Sequence, residues 1–210
     1  MIFREVTVGM LRTHCYIVGD EETRECAVFD PGASGEKIME TVRELGLTVK
    51  YIVLTHGHFD HVLGVPHIQE QTGAEVLIHR ADEAMLHPEV AGRRAFTQAP
   101  YKMPRIGGYL EDGGSFRVGG LEFSVLNTPG HTPGSCVFLC GDVMLSGDTL
   151  FCESCGRCDL EGGDEAQMMR SLRRLAELPG NYRVYPGHED FTTLDYERRC
   201  NPYMLEAVRR

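Results

Sequence analysis

The heptapeptide Thr55-His56-Gly57-His58-Phe59-Asp60-His61 is the stretch of this 210-residue chain that indicates most about its fold. It carries three imidazoles and one carboxylate within six residues, and a glycine separates the first two histidines. Glycine permits a tight turn, so several of these side chains can converge on one point. Imidazole nitrogens and carboxylate oxygens are ligands that zinc accepts. The heptapeptide therefore predicts a site for one or more metal ions.

This heptapeptide follows directly on a predicted strand. Residues 51–54, Tyr-Ile-Val-Leu, form an apolar run that is typical of a strand buried on both faces. Earlier short strands are predicted over residues 3–8, 16–18 and 26–29, and Ser34 could cap the helix that comes next. The metal-type residues thus lie where a buried strand ends.

The rest of the chain alternates predicted helices and strands. Helices are expected over 65–72, over 80–86 and after a capping box at Asp164 and Gln167, and strands over 75–78, 121–126, 136–139, 143–145 and 182–185. Residues 87–108 hold three prolines and three glycines with little periodicity, which predicts a loop. This order favours an α/β fold in which helices cover sheets. Because no linker or repeat divides the chain, we expect a single domain over residues 1–210.

Three later turns each add one metal-type residue: Pro129-Gly130-His131, Gly147-Asp148 and Pro186-Gly187-His188. Each turn alone is weak evidence, since a Pro-Gly-His turn is more often a surface turn. Each nevertheless follows a predicted strand or lies between two of them. Together with the heptapeptide they predict seven metal ligands, namely His56, His58, Asp60, His61, His131, Asp148 and His188.

The order of these motifs resembles the metallo-β-lactamase superfamily, and within it the hydroxyacylglutathione hydrolase (glyoxalase II) branch. The similarity extends over nearly the whole chain, including residues 15–18 and 156–159. The resemblance implies a four-layer αββα sandwich. It also implies two ligand sets joined by a bridging Asp148: His56, His58 and His131 on one ion, and Asp60, His61 and His188 on the other.

Seven ligands are too many for one tetrahedral ion, which agrees with a pair of divalent ions. Zinc suits the donor set first, with iron and manganese as alternatives. A hydroxide held between two ions could attack a carbonyl at neutral pH. We therefore expect catalytic roles for the bridging Asp148 and for Asp60, which could orient the hydroxide. The expected activity is metal-dependent hydrolysis of a small thioester, an S-acyl thiol conjugate such as hydroxyacylglutathione.

Several alternatives stay open. Persulfide dioxygenases with a single iron resemble this chain in the first cluster and in Gly156-Arg157, with Cys155 before it. Lactones, other esters and phosphodiesters are also conceivable substrates, and a metal-binding sensor without turnover is a different class of function. Flavin-partnered diiron oxidases usually carry glutamate in place of His58, and many β-lactamases carry cysteine in place of Asp148, which disfavours both.

The tail after His188 resembles that of compact, single-domain glyoxalase II-like hydrolases. Full-length glyoxalase II proteins add a helical domain that binds glutathione, whereas about twenty residues follow His188 here. Glutathione recognition is therefore not implied by the resemblance alone, and neither is an oligomeric state.

Composition restricts the partners and the compartment. A formal net charge of −10 argues against nucleic acid and anionic membranes as partners, and no apolar stretch is long enough to span a bilayer. The N-terminus lacks the features of a secretion signal, so we expect a cytoplasmic protein with its eight cysteines reduced. Cys152, Cys155 and Cys158 have a Cys-x₂-Cys-x₂-Cys spacing, which we interpret as free thiols rather than a further metal site.

Overall fold

A computed structural model describes residues 1–91 and 101–209 of the chain. Its first half forms a six-stranded sheet in the order β1-β2-β3-β4-β5-β6. The strands are β1 (Ile2–Val8), β2 (Thr13–Gly19), β3 (Glu25–Phe29), β4 (Thr48–Val53), β5 (Glu75–His79) and β6 (Ile106–Leu110). β1, β2 and β3 pair antiparallel, and β3 to β6 run parallel.

A second six-stranded sheet has the order β14-β13-β10-β9-β8-β7. Its strands are β7 (Ser115–Val118), β8 (Leu121–Asn127), β9 (Cys136–Cys140), β10 (Val143–Gly147), β13 (Arg183–Pro186) and β14 (Thr192–Thr193). Only β10 and β13 are parallel neighbours in this sheet. A separate small hairpin consists of β11 (Leu150–Phe151) and β12 (Ser154–Cys155).

Helices cover the outer face of each sheet. α1 (Gly35–Glu44) and α3 (Val65–Thr72) pack on the first sheet, and α4 (Glu165–Ala176), α5 (Leu194–Cys200) and α6 (Pro202–Arg209) pack on the second. A four-residue helix, α2 (Phe59–Val62), follows β4, and a 3-10 helix (Arg80–Leu86) follows β5. The αββα arrangement is therefore confirmed.

Three apolar cores hold these layers together. The central core lies between the sheets, where the fully buried rings of Phe29, Phe123 and Phe138 meet with centroid distances of 5.3 and 5.4 Å to Phe29. The outer cores bury the helix faces, including Met168, Leu172 and Leu175 of α4, against the sheets. The helical spacing of these α4 residues explains why one face of the helix is buried.

Strand register brings the functional loops to one end of the sandwich. Phe29 of β3 is paired with Val53 of β4, so the residues that follow both strands emerge together. In the second sheet Gly147 of β10 is paired with Pro186 of β13 in the same way. The N–H of Cys136, at the start of β9, donates to the carbonyl of Thr55 and joins the two sheets at this end.

Two local predictions are corrected by the structure. Ser34 does precede α1, but it lies in the left-handed region at φ 51° and its side chain makes no cap hydrogen bond. The predicted loop over 87–108 is wrong at its end, because β6 begins at Ile106 and extends the parallel sheet. Residues 92–100 of that segment lie outside the described residues. None of the helices in the described residues is both long and apolar enough to cross a membrane.

Candidate metal centre

The heptapeptide turns sharply between β4 and α2. β4 ends at Val53, and α2 begins directly after His58. This short helix carries Asp60 and His61 on its only turn, and the His61 side chain returns toward His56. The rings of His56 and His61 are fully buried and lie 4.1 Å apart between centroids. One local turn thus places four polar side chains at the end of the first sheet.

The other three predicted ligands come from the second sheet. His131 lies between β8 and β9, Asp148 directly follows β10, and His188 is the second residue after β13. Gly187 allows the close approach of these loops: a Cβ there would lie 2.3 Å from Oδ1 of Asp148 and 2.7 Å from Cε1 of His61. The structure therefore brings all seven predicted residues to one place.

One group of candidate donors consists of His56, His58 and His131, whose ligand atoms all lie within 4.8 Å of one another. Nδ1 of His58 lies 2.8 Å from Nε2 of His131. The ring of His56 lies 4.8 Å from each of the other two rings, at 86° and 79°. Three imidazoles face a common centre in this arrangement, as a three-histidine zinc site requires.

A second group consists of Asp60, His61 and His188. Oδ2 of Asp60 lies 3.2 Å from Nε2 of His188 and 3.6 Å from Nε2 of His61, and these two nitrogens are 3.3 Å apart. Ligands of a tetrahedral ion with bonds of about 2.1 Å are separated by about 3.4 Å. The spacing in this group is thus suited to a small divalent cation.

The carboxylate of Asp148 lies between the two groups. Its Oδ2 is 3.4 Å from Nε2 of His131 in the first group and 3.7 Å from Nε2 of His188 in the second. Its Oδ1 is 3.5 Å from Nε2 of His61. A carboxylate in this position is able to bridge two ions.

Two buried atoms support a metal ion on grounds independent of these distances. In the described part of the chain, Nε2 of His56 and Oδ1 of Asp148 are buried without a hydrogen-bond partner. A buried polar atom that lacks a partner costs about 1–3 kcal/mol, and such atoms are rare in native proteins. Both atoms point into the region where the histidines converge. Coordination by a cation would satisfy both, so the residues present fit divalent metal ions.

Hydrogen bonds on the far side of the rings orient four of the histidines. Nδ1 of His131 donates to the carbonyl of Arg157 at 2.7 Å, and Nδ1 of His188 donates to that of Leu11 at 3.2 Å. A carbonyl can only accept, so the proton is on Nδ1 and the Nε2 lone pair is available to a metal. Nδ1 of His56 lies 3.0 Å from the hydroxyl of Thr55.

Asp30 provides the corresponding contact for His61 and was not predicted from the sequence. Its Oδ2 lies 3.0 Å from Nδ1 of His61 and accepts from the Thr55 hydroxyl at 2.6 Å, while Oδ1 accepts from the Thr55 N–H at 2.8 Å. The ligand atoms of Asp30, His56 and His61 also all lie within 4.8 Å of one another, as three ligands of one ion would. Because its oxygens already accept these donors and face the far nitrogen of His61, we assign Asp30 to orienting the ring.

Asp82 is a second residue that sequence analysis missed. This fully buried carboxylate accepts from the N–H of Gly57 at 3.0 Å, from the hydroxyl of Thr132 at 2.6 Å and from the N–H of Gly134 at 2.7 Å. Asp82 therefore connects the heptapeptide to the loop that carries His131. The only signal in the sequence was an acidic residue inside a short predicted helix, which is ordinarily a surface position.

Electrostatics at the centre favour a cation. Burial lowers the pKa of His61, but the carboxylates of Asp148, Asp60 and Asp30 outweigh this effect and raise it to about 10. Burial and the neighbouring imidazoles lower the pKa of His56 well below its usual value, so this ring stays neutral. A protonated His61 among clustered carboxylates, with the neutral His56 beside it, is an environment in which a divalent ion could replace the proton.

Other predicted residues lie around this centre. Cys152, Cys155 and Cys158 are half-buried free thiols, and all eight cysteines are free. Arg157 forms a two-bond pair with Asp159, at 2.6 and 2.7 Å, in which both side chains are exposed. It is the carbonyl of Arg157, rather than its guanidinium, that contacts His131.

Comparison with known proteins agrees with a metal centre in this chain. The family model of the metallo-beta-lactamase superfamily matches residues 8–188. The hydroxyacylglutathione hydrolase GloC of Haemophilus influenzae is 31% identical over 95% of this chain and 96% of its own length.

Two solved structures extend the comparison. BLEG-1 B3 metallo-beta-lactamase superimposes with a TM-score of 0.88 at 32% identity, over 97% of this chain and 99% of that one. TTHA1623 in a di-iron-bound form superimposes with a TM-score of 0.83 at 37% identity, over 95% of this chain and 99% of that one.

Proposed function

Because this chain belongs to the metallo-beta-lactamase superfamily, we propose that it is a metal-dependent hydrolase of thioesters, with S-acyl thiol conjugates such as hydroxyacylglutathione as its substrate class. The observation that carries this proposal is the position of the Asp148 carboxylate, within 3.4 Å of His131 and 3.5 Å of His61. A carboxylate at these distances from histidines of both groups could serve two ions at once. The similarity to GloC supports a thioester as the substrate.

We assign the first ion to His56, His58 and His131, the second to Asp60, His61 and His188, and the bridging position to Asp148. Two divalent ions, zinc by the chemistry of these donors, would supply hydroxide near neutral pH and polarise the carbonyl that is attacked. TTHA1623 in its di-iron-bound form supports iron as an alternative occupant.

The residues of the chain hold this chemistry in place. Asp60 accepts a hydrogen bond from the buried hydroxyl of Thr13 at 3.2 Å, which fixes the carboxylate toward the centre. We propose that Asp60 accepts a hydrogen bond from the attacking hydroxide and so orients its lone pair toward the carbonyl. Asp148 keeps the two groups at a constant separation, so that the water and the carbonyl meet in a defined geometry.

A cysteine nucleophile is not needed for this reaction, and the nearby thiols are unsuited to it. Burial raises the pKa of Cys155 to about 12, and burial together with Glu197 raises the pKa of Cys152. The thiolate, rather than the thiol, is the nucleophile. At neutral pH these side chains are protonated, which favours water as the attacking group.

A second candidate function is the opening of a β-lactam ring. The similarity to BLEG-1 B3 metallo-beta-lactamase, at 32% identity and a TM-score of 0.88, favours it. The chemistry would be the same attack of water on a carbonyl, with an amide nitrogen in place of sulfur as the leaving group. The two candidates therefore differ in the substrate and share the site.

The experiment is a substrate panel on zinc-loaded protein. It contains S-lactoylglutathione, the S-lactoyl ester of a simple thiol, a lactone, a phosphodiester and a β-lactam, each measured with and without a chelator. We expect chelator-sensitive cleavage of the thioesters to be fastest. Faster cleavage of the β-lactam would select the second candidate. No thioester cleavage by the zinc-loaded protein, with oxygen uptake on glutathione persulfide by the iron-loaded protein instead, would contradict the proposal and favour an iron dioxygenase.

A further inference from the structure

The C-terminal helices contain two buried polar residues that the proposed reaction does not use. Glu197 of α5 and Asn201, between α5 and α6, are both fully buried. Oε2 of Glu197 accepts from the Asn201 amide at 2.9 Å, so the two side chains are joined. We call this pair the C-terminal clamp. A buried carboxylate whose partners are neutral is costly, so its presence requires an explanation.

The first arm of the clamp reaches the β11–β12 hairpin. The N–H of Glu153, at the hairpin turn, donates to Oε2 of Glu197 at 2.9 Å. The Asn201 amide donates to the carbonyl of Ser154 at 2.9 Å and, more weakly, to that of Phe151 at 3.4 Å. Three backbone groups of this short hairpin are therefore tied to two side chains of the C-terminal segment.

This hairpin lies between two parts of the metal centre. It begins two residues after Asp148 and is followed by Arg157, whose carbonyl accepts from Nδ1 of His131. The backbone of Gly156 packs directly on Asp148, since a Cβ at Gly156 would lie 1.9 Å from the Asp148 carbonyl oxygen. A shift of the hairpin would therefore move Asp148 and release His131.

The second arm of the clamp reaches the loop after His188. Oε1 of Glu197 accepts from the hydroxyl of Thr192 at 2.6 Å, four residues after His188. The ring of Phe151 also lies against His188, with centroids 6.3 Å apart at 83°. Glu197 thus connects the hairpin that follows Asp148 with the segment that follows His188.

We propose that Glu197 and Asn201 are positioning residues of the metal centre, which hold His131, Asp148 and His188 in register through the hairpin and Thr192. This inference rests on the metal centre proposed above. Partners outside the direct ligands typically contribute 10- to 100-fold to metal affinity. The clamp would act one step further out, by fixing the backbone that carries those partners.

Asn201→Asp separates this role from the stability of α6. In the native protein Oδ1 of Asn201 accepts from the N–H groups of Tyr203 and Met204 at the start of α6. An aspartate keeps this helix cap. Its second oxygen would replace the amide donor and face the carbonyls of Phe151 and Ser154 and the carboxylate of Glu197. The helix keeps its cap, while the hairpin loses the two hydrogen bonds that the Asn201 amide donates to it.

The test compares cobalt(II) binding, which reports on coordination geometry through its visible spectrum, in wild type, Asn201→Asp and Glu197→Gln. Glu197→Gln has the same size but only one acceptor oxygen, so it cannot accept from the donors of both arms, Glu153 and Asn201 on one side and Thr192 on the other. Leu175→Ala, which removes a buried side chain of α4, serves as the matched control for lost stability. All four proteins are measured at a temperature at which they are folded.

We expect both clamp variants to bind cobalt about 10- to 100-fold more weakly and with an altered spectrum, while Leu175→Ala has a lower Tm and wild-type cobalt binding. The inference is overturned if both clamp variants keep the wild-type spectrum and affinity, or if Leu175→Ala changes them equally. Wild-type protein that binds fewer than two cobalt ions would instead contradict the proposed metal centre itself, so the two failures are distinguishable.

Discussion

The two sides of the metal centre are built in different ways. On one side, four candidate ligands come from six consecutive residues, 56–61, and one turn at the end of β4 sets their geometry. On the other side, His131, Asp148 and His188 each follow a different strand of the second sheet. Their geometry therefore depends on strand register, on backbone carbonyls and on the hairpin behind them. Local sequence dictates the first side, and tertiary structure dictates the second.

The largest effect is expected where the two sides meet. Asp148→Ala removes the carboxylate that lies near histidines of both groups, so we expect metal content to fall from two ions to one or fewer. Thioester hydrolysis should fall by about 1000-fold or more, because an ion that polarises a carbonyl contributes several kcal/mol. Elemental analysis and steady-state kinetics measure both quantities.

Asp142→Ala is the matched control for this variant. Asp142 lies at the opposite end of β10, where its exposed side chain pairs with Arg183. We expect wild-type metal content and rates from it. An Asp148→Ala protein that keeps two ions and normal turnover would show that the two sides do not share this carboxylate.

A smaller effect on metal content and hydrolysis, confined to one side of the centre, is expected when a single histidine is replaced by alanine. His58→Ala should lose the ion of the first group, and His188→Ala that of the second, with hydrolysis lowered about 100-fold in each case. Titration with cobalt followed by its visible spectrum distinguishes the two, because the remaining donor sets differ. If both variants lose both ions together, the two groups are not independent, and the division into two sides is wrong.

A still smaller effect is expected from substitution of Asp82, which connects the sides through Gly57, Thr132 and Gly134. Asp82→Asn places an amide against one of these donors, so we expect metal affinity to fall about 10- to 100-fold and stability by about 1–3 kcal/mol. Competition with a chromophoric chelator and thermal unfolding measure the two changes.

The control for Asp82→Asn is Asp20→Asn. Asp20 is also a buried aspartate that accepts backbone N–H groups, including that of Gly120, but it contacts none of the candidate ligands. This variant should lose stability and keep metal affinity. Equal losses of metal affinity in both would mean that Asp82 acts only through general stability.

The smallest effect is expected from Arg157→Ala. Its guanidinium forms an exposed pair with Asp159, and such pairs contribute about 0–1 kcal/mol. Because the carbonyl of Arg157 holds His131, the variant keeps that contact, and we expect less than about a threefold change in hydrolysis. A loss near 100-fold would assign the guanidinium to substrate binding.

The same contrast explains what could be predicted from the sequence. The ligand turn was predictable because its residues are adjacent and follow an apolar strand. Strands β4, β8, β9 and β10 were predicted within a few residues, since their apolar runs are compact. The layered sandwich, in contrast, came from a resemblance, because no local pattern specifies which strands pair.

Other features depend on contacts that are remote in sequence. Asp30 reads as a turn residue and Asp82 as a helix surface residue, and only the fold brings them to His61 and Gly57. Glu197 and Asn201 likewise reveal their contacts with the hairpin only in the folded chain. β6 was missed because two glycines interrupt its apolar pattern.

The most direct test of the central claim is the metal content of the purified protein after removal of metal and reconstitution with zinc, measured together with hydrolysis of S-lactoylglutathione. We predict two ions per chain, no hydrolysis in the metal-free protein and recovery of hydrolysis as the second ion is added. One iron per chain in the protein as purified, with no second zinc taken up and no thioester cleavage, would contradict the claim.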